Sequence, residues 1–458
     1  MRQTFLTIIS ALIIFSWLIV GCNESSPSDP DIDPIEPSEI ELMDLRFKPW
    51  VTKPGEPFTL EVIIRGEVGS RIFFYPNLGA RFGPDGFIIP NAPSRLMQDG
   101  LERDYLILQK DENYSENQVY LESRYTADNI IFNIEENVIA VSTIRDIRIH
   151  DPEKPLSFNS FKVLLPFRTA NPTMIGTPSI TQLDTDVRAT SRIVNIISDE
   201  AEEIDRYYLG QLTQRYYQFF PDDRDFLIVQ EPPNVENSVG GYFYHSGERE
   251  KGLGAEYSRN PGFFGSSGRL KGVIQSFRGV YSQSLTMDGN FCLLTHELLH
   301  RWAAYMGDPL SLDGSHWMIH PTTGLDREHS GFGRNRTCKL NDFELYLAGF
   351  IPADSVSSTL NRNGYTMDDF INENGPRIPA FPDTQHDFNI AFIIESKEAL
   401  SDHEMAYFHF ISKEVTKETS LFSLTWFEAT GGRSRLYSKL EPTSSNSVDI
   451  SQALIIKQ

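Results

Sequence analysis

Asp288-Gly-Asn-Phe-Cys-Leu-Leu-Thr-His-Glu-Leu-Leu-His-Arg-Trp-Ala-Ala-Tyr-Met-Gly-Asp-Pro309 reads as one helix. Asp288 can accept from an orphan N–H of the first turn, Gly307 can take the left-handed conformation that closes a helix, and Pro309 forbids continuation. Inside lies His296-Glu297-Leu298-Leu299-His300. Residues four apart share a helix face, so two imidazoles at this spacing can bind one metal ion. Glu297, beside the first histidine, is placed where a carboxylate can reach water activated by that ion. Chance alone yields His-Glu-x-x-His in on the order of one percent of chains this long. The plain alternative is a solvated His/Glu helix face. It requires polar neighbours, and Leu298, Leu299, Trp302 and Ala303 are apolar.

The chain has 458 residues, 40% hydrophobic and 23% charged, enough for two or three folded domains. Its formal net charge of −22 argues against nucleic acid or an anionic membrane surface as the main partner. Arg2 precedes an apolar run from Phe5 to Val20 whose only polar members are Thr7, Ser10 and Ser16, and Gly21-Cys22 follows. This resembles a bacterial lipoprotein signal (residues 1–21). The resemblance implies lipidation of Cys22 and a cell-envelope location, at the outer membrane or cell surface. An uncleaved membrane anchor is the alternative, for which the run is short. Residues 22–38 are polar and Pro/Ser-rich, a tether. Beyond Cys22 only Cys292 and Cys338 occur. An exported compartment permits a bridge between them, and two unpaired buried thiols fit equally well.

Residues 39–170 read as short strands separated by turns: Phe58–Ile64, Arg71–Tyr75, Tyr105–Leu108, Ile130–Ile134, Val138–Val141 and Phe161–Phe167. This spacing predicts an antiparallel, immunoglobulin-like β-sandwich with no catalytic constellation. Residues 185–458 form the second domain. Val187–Ile197 is expected as a strand, Ser198–Phe220 as a helix, Asp225–Val229 as a buried strand, Asn237–Gly268 as loops, and Lys271–Arg278 as a strand.

Strand, helix, strand, strand, then the His-Glu-x-x-His helix resembles the upper half of a zincin metallopeptidase, over roughly Val187 to Ile351. The resemblance implies an α+β fold, bound Zn²⁺, a peptide or protein substrate, and an edge strand above the metal; Lys271–Arg278 is the candidate edge. Metzincins carry a Gly three and a His six residues after the second histidine; here Ala303 and Met306 stand there, so that branch is excluded. Gluzincin-like enzymes take a glutamate from a later helix.

A catalytic zinc needs three protein ligands and one open position. Leu340–Ile351 reads as a helix whose stripe Leu340, Phe343, Leu347 and Ile351 encloses Glu344, with Asp342 opposite. A buried carboxylate needs a compensating cation, which makes Glu344 the expected third ligand; a helix-end salt bridge is the alternative. His316, in Asp313-Gly-Ser-His-Trp317, is the competing ligand, or a hydrogen-bond donor to the oxyanion. The remaining chain, with a helix at Thr366–Gly375, a strand at Asp387–Ile394 and a helix at Asp402–Thr416, is expected to form a small lower part completing the cleft. The function expected is zinc-dependent peptide hydrolysis with Glu297 as base. The competing expectation is a surface binding or adhesion lipoprotein with little catalysis.

Overall fold

Runs rich in β-branched and aromatic residues become strands here, as such side chains favour. The computed structural model describes residues 41–53, 58–65, 71–82, 106–107, 118–125, 139–150, 158–198, 206–230, 241–254, 258–276, 292–304, 306, 310, 339–357, 359–360, 364–420 and 424–443. The signal segment, Cys22, the tether and the Ile130–Ile134 run lie outside the described residues.

The first part holds β1 (Glu41–Lys48), β2 (Val51–Thr52), β3 (Phe58–Arg65), β4 (Arg71–Phe82), β5 (Leu106–Ile107), β6 (Gln118–Tyr125), β7 (Ile139–His150) and β8 (Phe158–Ala170). They pair as two sheets, β1-β3-β6 and β2-β8-β7-β4-β5, antiparallel except for the short β2–β8 pair. The β2 end is fastened to the second part. The Trp50 N–H donates to Glu404 Oε1 at 2.6 Å, and the Trp50 ring meets Phe408 edge-on at 6.0 Å.

The second part contains α1 (Pro172–Ile175), β9 (Thr181–Asp184), β10 (Val187–Ala189), β11 (Ile193–Ile197), α2 (Arg206–Tyr217), β12 (Phe226–Gln230), β13 (Gly241–His245), β14 (Gly247–Glu248), β15 (Ser258–Arg259) and β16 (Gly272–Ser276). It continues with α3 (Cys292–Ala303), α4 (Asp342–Ala348), α5 (Met367–Asn374), β17 (Asp387–Ser396), α6 (Asp402–Val415), α7 (Trp426–Ala429) and β18 (Arg435–Tyr437). One mixed sheet runs β13-β16-β12-β17-β11-β10-β9, with β18 beside the start of β17. Strands β16, β12, β17 and β11 are mutually parallel, whereas β13 and β10 run against their neighbours. Every residue of β12 is buried, as expected for an inner parallel strand covered on both faces. Phe226, Ile228, Ile274, Ile390 and Phe392 face one core with Leu298, Trp302, Phe343 and Phe408. Leu227, Val229, Val273 and Ile393 face the other, with Leu209, Leu212 and Tyr216 of α2. The chain is thus a mixed α/β protein built on a mixed, multi-stranded sheet.

Four expectations change. Val187–Ile197 is a hairpin, β10–β11, because Thr190 Oγ1 accepts from the N–H groups of Arg192 and Ile193 at 3.2 Å each and turns the chain. The expected edge at Lys271–Arg278 is an interior strand: β16 lies between β12 and β13. The outer position belongs to β13, within the stretch expected to be loop. The strand near Asp387 joins no separate lower part; β17 is inserted between β11 and β12 at the centre of the sheet. Finally, α4 is shorter than Leu340–Ile351, because Asn341 caps its start and Gly349, at φ 82°, ends it.

No helix among the described residues is long and apolar enough to cross a membrane.

Candidate metal centre

Helix α3 is fixed by its apolar stripe. Leu294, Leu298, Leu299, Trp302 and Ala303 are all buried. The Trp302 ring lies 5.5 Å from Phe388, 6.2 Å from Phe226 and from Phe350, and 6.3 Å from Trp426. With that side locked, positions 296, 297 and 300 share the remaining arc.

His296 Nε2 and His300 Nε2 stand 3.1 Å apart, their rings nearly perpendicular at 86°. Two ligands at tetrahedral zinc, each about 2.0–2.1 Å from the ion, lie about 3.4 Å from one another, so the pair fits a shared ion. With one Nε2 protonated, the same separation is a hydrogen bond. Glu297 Oε1 is 4.0 Å from His296 Nε2, and its Oε2 is 4.0 Å from His300 Nε2. The carboxylate therefore stands farther back than a third ligand of the same ion would. Its Oε2 is buried and accepts no hydrogen bond. Burial pushes the Glu297 carboxyl up to about 8. A cation between the imidazoles would supply the compensation this group lacks. Among the described residues, His296, Glu297 and His300 are the one group of three His/Cys/Asp/Glu whose ligand atoms all lie within 4.8 Å of one another.

Two arginines join α3 to the edge of the sheet. Arg301, 2% exposed, donates from Nη1 to the carbonyls of Ser246 (2.9 Å) and Lys271 (3.0 Å), from Nη2 to that of Glu248, and from Nε to Glu250 Oε2 at 3.1 Å. Arg249 reaches the other way, from Nη2 to the carbonyls of Trp302 and Ala304 at 2.6 Å each, and from Nε to that of Arg301 at 3.3 Å. These are last-turn carbonyls that have no partner inside a helix. They end α3 at Ala303, ahead of the expected stop at Gly307, which lies outside the described residues. Burial works against the charge on Glu250, but Arg301 and Lys271 outweigh it and hold the carboxyl below its ordinary range.

Glu344 is fully buried and Asp342 exposed, as the stripe required. Glu344 Oε2 accepts from the Asn341 N–H at 3.0 Å, while Asn341 Oδ1 accepts from the Glu344 N–H at 2.9 Å: a capping box. Glu344 is not part of the 4.8 Å group, although α4 packs against α3. The C-terminus of α4 is held like that of α3. Arg377 Nε donates to the Leu347 carbonyl at 2.8 Å and Nη2 to that of Ala348 at 3.1 Å.

Two residues beside the centre went unread in the sequence. His245 of β13 is 2% exposed, and burial, with the charges of Arg249 and Arg301, pushes its ring down to about 2, so it is neutral. Gly241, also on β13, lies directly against the Glu297 carboxylate. The available signal was a glycine opening an alternating Tyr-Phe-Tyr-His run, a mark of close approach. His316, Cys338 and the side chain of Cys292 lie outside the described residues. No protein-family model, curated protein or solved structure matches this chain.

Proposed function

We propose that this chain is a zinc-dependent peptidase of zincin type, held at the bacterial cell envelope by lipid on Cys22 and cleaving peptide bonds in proteins outside the cytoplasm. The observation that carries the proposal is the convergence of two imidazole Nε2 atoms and one buried, unsatisfied carboxylate on a single point. The antiparallel outer strand β13, packed against α3, supports the zincin-like assignment, and the two sheets before residue 171 support a β-sandwich.

His296 and His300, both neutral, would hold Zn²⁺ through Nε2, with Glu344 as the proposed third ligand and His316 as its competitor. Bound zinc supplies Lewis acidity, polarising the scissile carbonyl and making water acidic enough to attack near neutral pH. Glu297 takes a proton from the attacking water and returns it to the departing amine nitrogen. Its place 4.0 Å from each imidazole Nε2 suits that double duty. His316 is assigned to the oxyanion as a hydrogen-bond donor. Among the described residues β13 is the outermost strand on its side of the sheet, and its main-chain N–H and C=O groups are the ones an extended peptide would pair with.

The test compares purified wild type with Glu297→Gln on a denatured protein mixture, with zinc content measured in both. Metal-dependent cleavage by wild type, lost by at least about 100-fold in the variant while zinc stays bound, is expected. Equal inertness of both proteins across many substrates would refute the peptidase and leave a binding protein.

A further inference from the structure

We infer that Gly241 is a positioning residue that seats the Glu297 carboxylate; its catalytic meaning rests on the proposed role of Glu297 as base. In the β13–β16 ladder Gly241 is opposite Ser276, and alternate residues Phe243 and His245 are buried while Tyr242 is 49% exposed. Gly241 thus shares the inward face. A Cβ built there would lie 2.8 Å from Glu297 Oε1 and 2.9 Å from both its Cδ and its Cγ. Real Cβ atoms do not come that close to a neighbour. The contact engages the whole end of the glutamate side chain, so turning one oxygen aside would not relieve it.

The backbone gives no separate reason for glycine. Gly252, Gly265 and Gly349 have φ of 75°, 85° and 82°, where a side chain is strained whatever the space. Gly241 is not among the positive-φ glycines, so its conformation is open to any residue. The three nearest atoms that a side chain at 241 would meet all belong to Glu297. Conversely, what stops Glu297 from moving toward the strand is the bare backbone at 241. A methyl group there must push the carboxylate by about 0.5 Å to restore ordinary contact. The imidazole Nε2 atoms, 4.0 Å away, bound its travel on another side. Displacements of that size are enough to spoil a proton transfer.

The experiment is a double-mutant cycle in the full chain, combining Gly241→Ala with Glu297→Ala. Two quantities are read: the thermal midpoint of each zinc-loaded variant, and the kcat and KM of those that retain Glu297. Gly241→Ala should lower the midpoint in the wild-type background and leave it unchanged in the Glu297→Ala background, where the methyl group has room. It should also lower kcat by about 10- to 100-fold, with KM within about twofold and zinc still bound at the wild-type level. An equal midpoint loss in both backgrounds overturns the inference, because the clash then lies elsewhere. Should Gly241→Ala not fold, the double variant is expected to fold, and its failure overturns the inference in the same way. If wild type itself cleaves nothing, the peptidase proposal fails, while the midpoint cycle still decides whether Gly241 seats Glu297.

Discussion

Replacing Arg301 with methionine keeps an unbranched apolar stem but removes a guanidinium that serves four acceptors: the carbonyls of Ser246, Glu248 and Lys271, and the Glu250 carboxylate. Hydrogen bonds to a charged donor contribute about 1.5–3 kcal/mol each, so the gross loss is about 6–12 kcal/mol. Relief of the arginine's own desolvation offsets several kcal/mol of this. Glu250 keeps the Lys271 ammonium, 3.6 Å away, and the more distant charge of Arg377, and becomes a weakly compensated buried charge. Breaking one side of such a pair costs about 3–5 kcal/mol, the net expected here. Arg301→Lys preserves the charge beside Glu250 but can reach fewer carbonyls, and should lose about half as much. Adding Glu250→Gln to Arg301→Met should cost little more, since the stranded charge is removed. Urea denaturation followed by tryptophan fluorescence measures all three. A loss below about 1 kcal/mol for Arg301→Met, against the 3–5 expected for breaking a buried pair, would refute the clamp.

The two roles of Glu344 separate by substitution. Asn341→Ala removes one half of the capping box and should cost about 1 kcal/mol with zinc affinity unchanged. Glu344→Gln keeps an oxygen for the Asn341 N–H but loses the charge, and should weaken zinc binding at least about tenfold by titration calorimetry; equal affinity would leave it a cap only. Chelation of the metal should lower the thermal midpoint of wild type, restored on adding zinc, and should leave His296→Ala and His300→Ala unmoved. His409, pushed down to about 4 by burial and by the charges of Arg192 and Lys413, binds its proton more readily in the unfolded chain. Its contribution is therefore complete above about pH 6.5 and is lost as pH falls toward 4; His409→Gln should make that dependence shallower, with the part due to His245 remaining, in denaturation curves taken across that window.

Local periodicity made the centre legible. The four-residue spacing of His296 and His300, and the apolar neighbours that lock α3, are contained in twelve consecutive residues. The burial of Glu344 followed from its stripe, yet the Asn341-x-x-Glu344 signature of a capping box in the same segment went unread. What the chain pattern could not deliver was lateral order. Gly241–His245 and Gly272–Ser276 are both short strands, and nothing local says which lies outermost among the described residues. That is decided by β12 taking one side of β16, a contact between segments more than forty residues apart. The hairpin at Thr190 was hidden for a smaller reason: one hydroxyl bending an otherwise continuous run of strand-forming residues.

The place of β17 bears on how the sheet closes. Strands β11 and β12 touch each other only through it, on either flank of Phe392. The end of β12 and the start of β17 are more than one hundred and fifty residues apart, so the middle of the sheet closes only through a contact of long sequence separation. Until that contact is made, the strands on either side of β17 have no pairing between them. The histidine pair precedes β17 in the chain, but the helix that carries it packs through Trp302 on Phe388 of that strand. The candidate metal centre therefore rests on a strand that carries none of its chemistry.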